Sequence, residues 1–193
     1  MALVAACGGD ATGPGTEPPF DFSFADPAGD TVSATASSVP KGIDLLQVSG
    51  TVGPDEVRLV LEFAEPVVAW SAGAANSLDG FVDFDLDENP GTGIRDVSTE
   101  TGSGAFDLGA DFYLDLRDDS GRLWLVDVAE RRFSRVKATF SGTQVEVTIP
   151  RSELVARNDA DNRFRMGVLV TAVGRPVTDV APNASHYVVA PGT

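Results

Sequence analysis

Glu56-Val57-Arg58-Leu59-Val60-Leu61-Glu62-Phe63 alternates almost residue by residue. Val57, Leu59, Leu61 and Phe63 fall on one side of an extended chain, and Glu56, Arg58, Val60 and Glu62 on the other. A helix would scatter the four apolar side chains around its axis, because its period is 3.6 rather than 2. The pattern therefore predicts a half-buried strand, apolar inward and mostly polar outward.

Similar runs recur on both sides of this stretch, at residues 43–52, 80–87, 110–117, 122–129, 132–140, 143–149, 163–173 and 185–190. Asp118-Asp119-Ser120-Gly121 has the chemistry of a hairpin turn, and Ser141-Gly142 that of a tighter one. After Pro150, Ser152 to Arg157 has room for one helical turn. No segment shows a long amphipathic helical pattern. Short strands joined by close turns, about eight or nine of them, predict an all-β fold. The expected form is a single antiparallel β-sandwich, jelly-roll-like, over residues 20–193.

The 193 residues are 42% hydrophobic, which suffices for one core without disulfides or a structural metal. The charge is lopsided: 14 Lys and Arg against 29 Asp and Glu leave a net −15. Such a surface repels phosphate backbones, so nucleic acid is excluded as an expected partner. Two readings of the acidity stand: solvation alone, or collection of cations such as calcium.

The one cysteine, Cys7, sits in Leu3-Val4-Ala5-Ala6-Cys7-Gly8-Gly9. This stretch resembles the bacterial lipobox, whose cysteine receives a diacylglycerol and becomes the mature N-terminus. Gly8 to Pro19 follows, rich in Gly, Pro and Thr and without apolar periodicity, as a flexible tether would be. Residues 1–19 are thus expected to be anchor and tether, with Cys7 lipidated. Six residues precede Cys7 and none is basic, so the start of a signal peptide is expected upstream of Met1. The resemblance implies a membrane partner through the lipid and a place in the bacterial cell envelope, periplasmic or surface-exposed.

The sharpest polar feature is Phe81-Val82-Asp83-Phe84-Asp85-Leu86-Asp87-Glu88-Asn89-Pro90-Gly91-Thr92-Gly93. On a strand, Asp83, Asp85 and Asp87 share one side and repel. A hard cation with oxygen ligands would compensate. The spacing imitates the start of an EF-hand loop. However, Glu88 stands where that loop needs Gly, and Ile94 where it needs a bidentate Glu. The other reading is a solvated acidic strand ending in an Asn-Pro-Gly turn. A second acidic group comprises Asp26 and Asp30 in Asp26-Pro27-Ala28-Gly29-Asp30, with Asp44 in Gly42-Ile43-Asp44-Leu45-Leu46. There too, Asp and Gly make turns unaided.

These motifs, together with D-x-D-x-N-P-x-T-G, Leu108-Gly109-Ala110-Asp111-Phe112-Tyr113 and Thr178-Asp179-Val180-Ala181-Pro182-Asn183, carry a resemblance over about residues 20–190. The chain is similar to secreted bacterial β-sandwich modules of the glucodextranase C-terminal type and to DOMON-like sandwiches. The resemblance implies calcium at Asp26, Asp30 and Asp44, and a sugar or haem ligand. Thr31-Val32-Ser33-Ala34-Thr35 stands where the glucodextranase-type modules carry G-P-G-x-Y-x-Y-P.

Trp70, in Ala69-Trp70-Ser71-Ala72-Gly73, is the candidate ligand-binding residue, since an exposed indole stacks on sugar. Its other reading is a cap on the core. Trp124, between Leu123 and Leu125, is expected to be structural. Arg131, Phe133, Arg135 and Lys137 share one strand face, and the three basic residues are expected to pair with acids on adjacent strands. His186 is the sole histidine, and no nucleophile elbow or phosphate loop is present, so no catalytic residue is assigned. The expectation is a non-enzymatic, lipid-anchored binding or structural module, calcium-stabilised and polysaccharide-binding. A glycoside hydrolase using two carboxylates and a purely structural envelope lipoprotein are the alternatives.

Overall fold

The structure, a computed structural model, describes residues 18–31, 43–71, 74–95, 108–117, 122–154, 162–172, 179–183 and 185–191. Cys7, the tether before Pro18, the turn at 118–121 and residues 155–157 lie outside the described residues.

Nearly everything described is antiparallel β. The strands are β1 (Phe20–Ala25), β2 (Leu45–Val52), β3 (Glu56–Phe63), β4 (Leu78–Asp85), β5 (Ile94–Arg95), β6 (Gly109–Ala110), β7 (Phe112–Asp115), β8 (Arg122–Asp127), β9 (Arg132–Ser141), β10 (Gln144–Pro150), β11 (Phe164–Ala172), β12 (Asp179–Ala181) and β13 (Tyr187–Val189). One sheet runs in the order β1-β2-β3-β10-β9-β8-β7-β4-β11-β12, with β13 also paired to β11. β5 and β6 make a small second sheet. The helical turn expected after Pro150 is a short 3-10 turn, Arg151–Glu153.

β3 shows why the sequence folds this way. Val57, Leu59, Leu61 and Phe63 are all 3% exposed or less, while Glu56 and Arg58 are exposed. Both neighbours of β3 keep the alternation in register: Leu59 pairs with Gly50 on one side and with Val147 on the other. The β9–β10 hairpin turns at Gly142-Thr143, where Gly142 takes a φ of 63°. A tight hairpin favours such left-handed residues because they match the twist of its strands.

The sheet curls until its ends meet. Phe22 of β1 meets Phe164 of β11 edge to face at 6.3 Å. Phe24 stacks on Tyr187 of β13 at 4.3 Å. One apolar core fills the inside, drawing Leu59, Leu61, Val136 and Val147 from one half of the strand order and Val82, Phe84, Leu114 and Val168 from the other. A smaller cluster of Leu108, Leu169 and Val180, with Phe81 against it, is separate from this core.

The expected count of about eight or nine strands is corrected to thirteen among the described residues. β5, β6 and β12 have two or three residues each, too few for a period-two pattern to register. β1 opens the domain as Phe-Asp-Phe-Ser-Phe-Ala and adds a strand that the sequence did not predict. The run at 80–87 forms a strand that starts earlier and ends at Asp85. The run at 110–117 is broken at Asp111, between β6 and β7.

Candidate metal centres

Two groups of three aspartates bring one carboxylate oxygen from each residue to within 4.8 Å of the others: Asp26, Asp30 and Asp179, and Asp85, Asp87 and Asp111. Oxygens bound to a single calcium at about 2.4 Å lie at most about 4.8 Å apart. Either group can hold a metal ion. Without one, two full charges at that separation repel by about 3–4 kcal/mol at an effective dielectric near 20.

The first group is built from both ends of the sheet. Asp26 follows β1, and its N–H donates to Leu46 O at 2.8 Å. Asp30 comes after the turn at Gly29, which takes a φ of 81°. Asp179 opens β12 with no exposed surface. Its two oxygens accept from Leu45 N–H at 2.7 Å and Val180 N–H at 2.8 Å. Asn183 donates its amide to Asp26 Oδ1 at 3.4 Å and to Asp30 Oδ2. Asp26 Oδ2 and Asp30 Oδ1 are buried and accept no hydrogen bond. Burial, then the charges of Asp179, Asp30 and Asp44, push the Asp26 carboxyl up to about 7. Asp179 is also raised to about 7, mainly by burial, against the pull of its two backbone donors.

Asp44, expected as a ligand, stands outside the converging trio. Its oxygens accept the Gly29 N–H at 3.1 and 2.9 Å, so it pins the turn that presents Asp30. Burial and the Asp30 charge raise its pKa, while the Gly29 donor lowers it.

In the second group, Asp85 ends β4, and Asp87 lies past the strand end rather than in line with it. Asp111 sits between β6 and β7 and accepts Leu86 N–H at 3.0 Å and Asp87 N–H at 3.3 Å. Thr92 Oγ1 donates to Asp87 at 2.9 Å, and Asn89 N–H donates to Asp87 Oδ1 at 2.9 Å and to Asp85 Oδ1 at 3.1 Å. Asp85 Oδ2 is buried with no hydrogen bond; Arg165 approaches it to 3.8 Å. Burial, followed by the adjoining Asp87, holds the Asp85 carboxyl well above the usual range. Glu88, at the position where an EF-hand needs Gly, does adopt a left-handed φ of 53°.

Asp83, expected to share a site with Asp85 and Asp87, is buried but outside the group. The alternative of a solvated acidic strand is corrected as well: Asp83 is 1% exposed and Asp85 is fully buried. Reasoning from sequence missed Asp111 and Asp179 as members. Their signal is an acid set among small and apolar residues, in Gly-Ala-Asp-Phe and Thr-Asp-Val-Ala, where burial is expected and a buried charge needs a partner.

Trp70 is partly buried, and its Nε1 is a buried donor with no acceptor. Among the described residues the exposed aromatics are Trp124 and Phe133. No helix among the described residues is long and apolar enough to cross a membrane. No family model matches the chain, and no curated protein matches it in sequence.

Proposed function

We propose that this chain is a non-enzymatic binding module, tethered in the bacterial cell envelope by lipid on Cys7, with calcium on its two aspartate groups. The reading takes the curled sheet as a closed β-sandwich and the ligand as a polysaccharide, in keeping with the modules the sequence resembles. One observation carries it: Asp26, Asp30 and Asp179 converge from distant parts of the chain, and two of their buried oxygens have no donor. Buried polar atoms are almost always satisfied, so two orphaned oxygens within one group of converging carboxylates favour an absent cation. All-oxygen ligation favours a hard ion, and carboxylates with a backbone-fixed shell suit calcium. Backbone donors already engage Asp179 and Asp111, which suits fixed ligands better than a mobile acid and base flanking a sugar.

The test is a thermal melt of the full chain in millimolar calcium and in chelator. An ion present at about 100 times its dissociation constant stabilises by about 2.7 kcal/mol, a rise of several degrees for a domain of this size. Identical melts would overturn the calcium reading.

A further inference from the structure

A calcium ion takes about six to eight oxygen ligands, more than one from each of three carboxylates supplies. At the edge of the first aspartate group stands a fourth polar side chain, Asn183, just past the end of β12. Its Nδ2 donates to Asp26 Oδ1 at 3.4 Å and to Asp30 Oδ2. One amide thus bridges the two carboxylates that come from the segment after β1. On each of them the other oxygen, Asp26 Oδ2 and Asp30 Oδ1, is buried and accepts no hydrogen bond. Asp26 as a whole is only 6% exposed. Asn183 is itself exposed, and no described residue donates to its Oδ1.

An amide carries a donor end and an acceptor end on the same planar group. A half-turn about χ2 brings Oδ1 to the place of Nδ2, beside the same two carboxylates. Without a cation the donor end is favoured there, because an NH2 group between two carboxylates satisfies an oxygen on each. With a cation among the carboxylates the preference reverses. The amide hydrogens would then face positive charge, whereas an Asn carbonyl oxygen is an ordinary ligand of calcium. The half-turn gives up the bonds to Asp26 and Asp30, the ion takes over as partner of both, and the NH2 group goes to water. Charge favours an amide over a fourth acid at this place. Three carboxylates already outweigh a divalent ion, and a carbonyl oxygen adds a ligand without adding repulsion.

We infer that Asn183 is the fourth protein ligand of the first aspartate group, turning its amide from carboxylate donor to calcium ligand when the ion binds. This rests on the calcium part of the proposed function and adds a residue that the acidic motifs do not contain. The centre then takes two ligands from the segment after β1, Asp26 and Asp30, and two from β12 and the residues after it, Asp179 and Asn183. The exposed side of Asn183 is where water completes the shell. Because the amide already holds Asp26 and Asp30 together, little ordering remains to oppose binding.

The experiment is terbium luminescence of the full chain, with lifetimes in H2O and D2O that count the waters on the ion and calcium competition that gives the affinity. It is run in an Asp85→Asn background, which leaves the first group as the working site, and in the wild-type background. Asn183→Ala should carry about one more water on the ion than its parent and bind calcium at least about tenfold more weakly. Asn183→Asp keeps an oxygen at the same place and should keep the parent's water count. If Asp85→Asn fails to fold by circular dichroism, the wild-type background makes the same comparison, the added water falling on one of its two ions. An unchanged water count in Asn183→Ala, with terbium still bound, overturns the inference and leaves the calcium reading standing. A count raised equally in Asn183→Asp makes the amide's donors the essential part and also overturns it. No terbium binding by the wild-type chain, with identical melts in calcium and chelator, overturns both readings.

Discussion

Asp179 has no exposed surface, and both its oxygens are held by backbone N–H groups, yet Asp26 and Asp30 face it across a few ångströms. Burial and like charge disfavour the ionised form. Asp26 and Asp179 are accordingly raised from 3.8 to about 7. In the unfolded chain both ionise near 3.8. Below about pH 4 each is protonated in both states, and neither makes stability depend on pH. As pH rises towards 7 the unfolded chain releases its protons first, so the metal-free fold loses stability across that window and regains none above it. Each tenfold difference in proton affinity between the two states is worth about 1.4 kcal/mol. In chelator, melting temperature should therefore fall between pH 5 and pH 8. A bound cation takes the place of the protons, so the increment from calcium should grow over the same range. Asp26→Asn removes one charge and offers an amide donor to Asp30, and it should flatten the chelator profile and remove this group's calcium response. A chelator profile that rises with pH, or that Asp26→Asn leaves unchanged, would contradict the account. Calorimetry at the two pH values decides it.

The loop between β4 and β5 shows how elements rather than single residues assemble the second aspartate group. Gly93 takes a φ of 63°, and a Cβ placed there would lie 2.3 Å from Ala110 O. Only glycine lets the loop lie backbone to backbone on β6, which seats Asp87 and Thr92 beside Asp111. Gly93→Ala meets both the left-handed conformation and a backbone atom that cannot give way, so a loss of about 1–3 kcal/mol is expected. In a calcium titration by isothermal calorimetry the weaker variant should lose the Asp85, Asp87 and Asp111 component and keep the other. Unchanged binding at both groups would mean that the loop does not set the ligand geometry. The same elements mark how far a sequence reveals a site. β3 and the β9–β10 hairpin are legible because their strands repeat one rule over seven or more residues. Asp85 and Asp87 are legible because they are close neighbours in the chain. Asp111 and Asp179 are not, because spacing along a strand says nothing about which distant strand returns to it. The outer face of β8 and β9 is half legible: the basic and aromatic residues of β9 share a face by their spacing alone, but the leucines beside Trp124 suggest a structural, inward residue. Flanking residues point the opposite way on a strand, so Leu123 and Leu125 inside put Trp124 outside.

At the scale of the whole molecule, the strand order leaves β1 and β12 at opposite ends of one curled sheet. Contacts among the described residues that join the two ends include the Phe24–Tyr187 stack, the Phe22–Phe164 contact, the Tyr187 hydroxyl on Ser23 O at 3.2 Å, the Leu45 N–H on Asp179, and the first aspartate group. β1 pairs with β2 alone, and β12 pairs with β11 over three residues, so each is fastened on one side. Such elements open locally at lower free energy than the interior strands β3 and β10, which are paired on both sides and filled with buried residues. A cation held by Asp26, Asp30 and Asp179 touches both ends at once, so its binding free energy is available only while the ends are together. At about 100 times its dissociation constant it should reduce the open population about a hundredfold. Amide hydrogen exchange in β1 and β12 should then accelerate by about that factor on chelation, with β3 and β10 little changed. Asp179→Asn should show the fast exchange even in calcium, because one end of the clasp is gone. Equal acceleration in β3 and β10 would mean that the ion stabilises the fold globally rather than closing it. Unchanged exchange in β1 and β12, alongside a calcium-dependent melt, would put the working ion at Asp85, Asp87 and Asp111 instead.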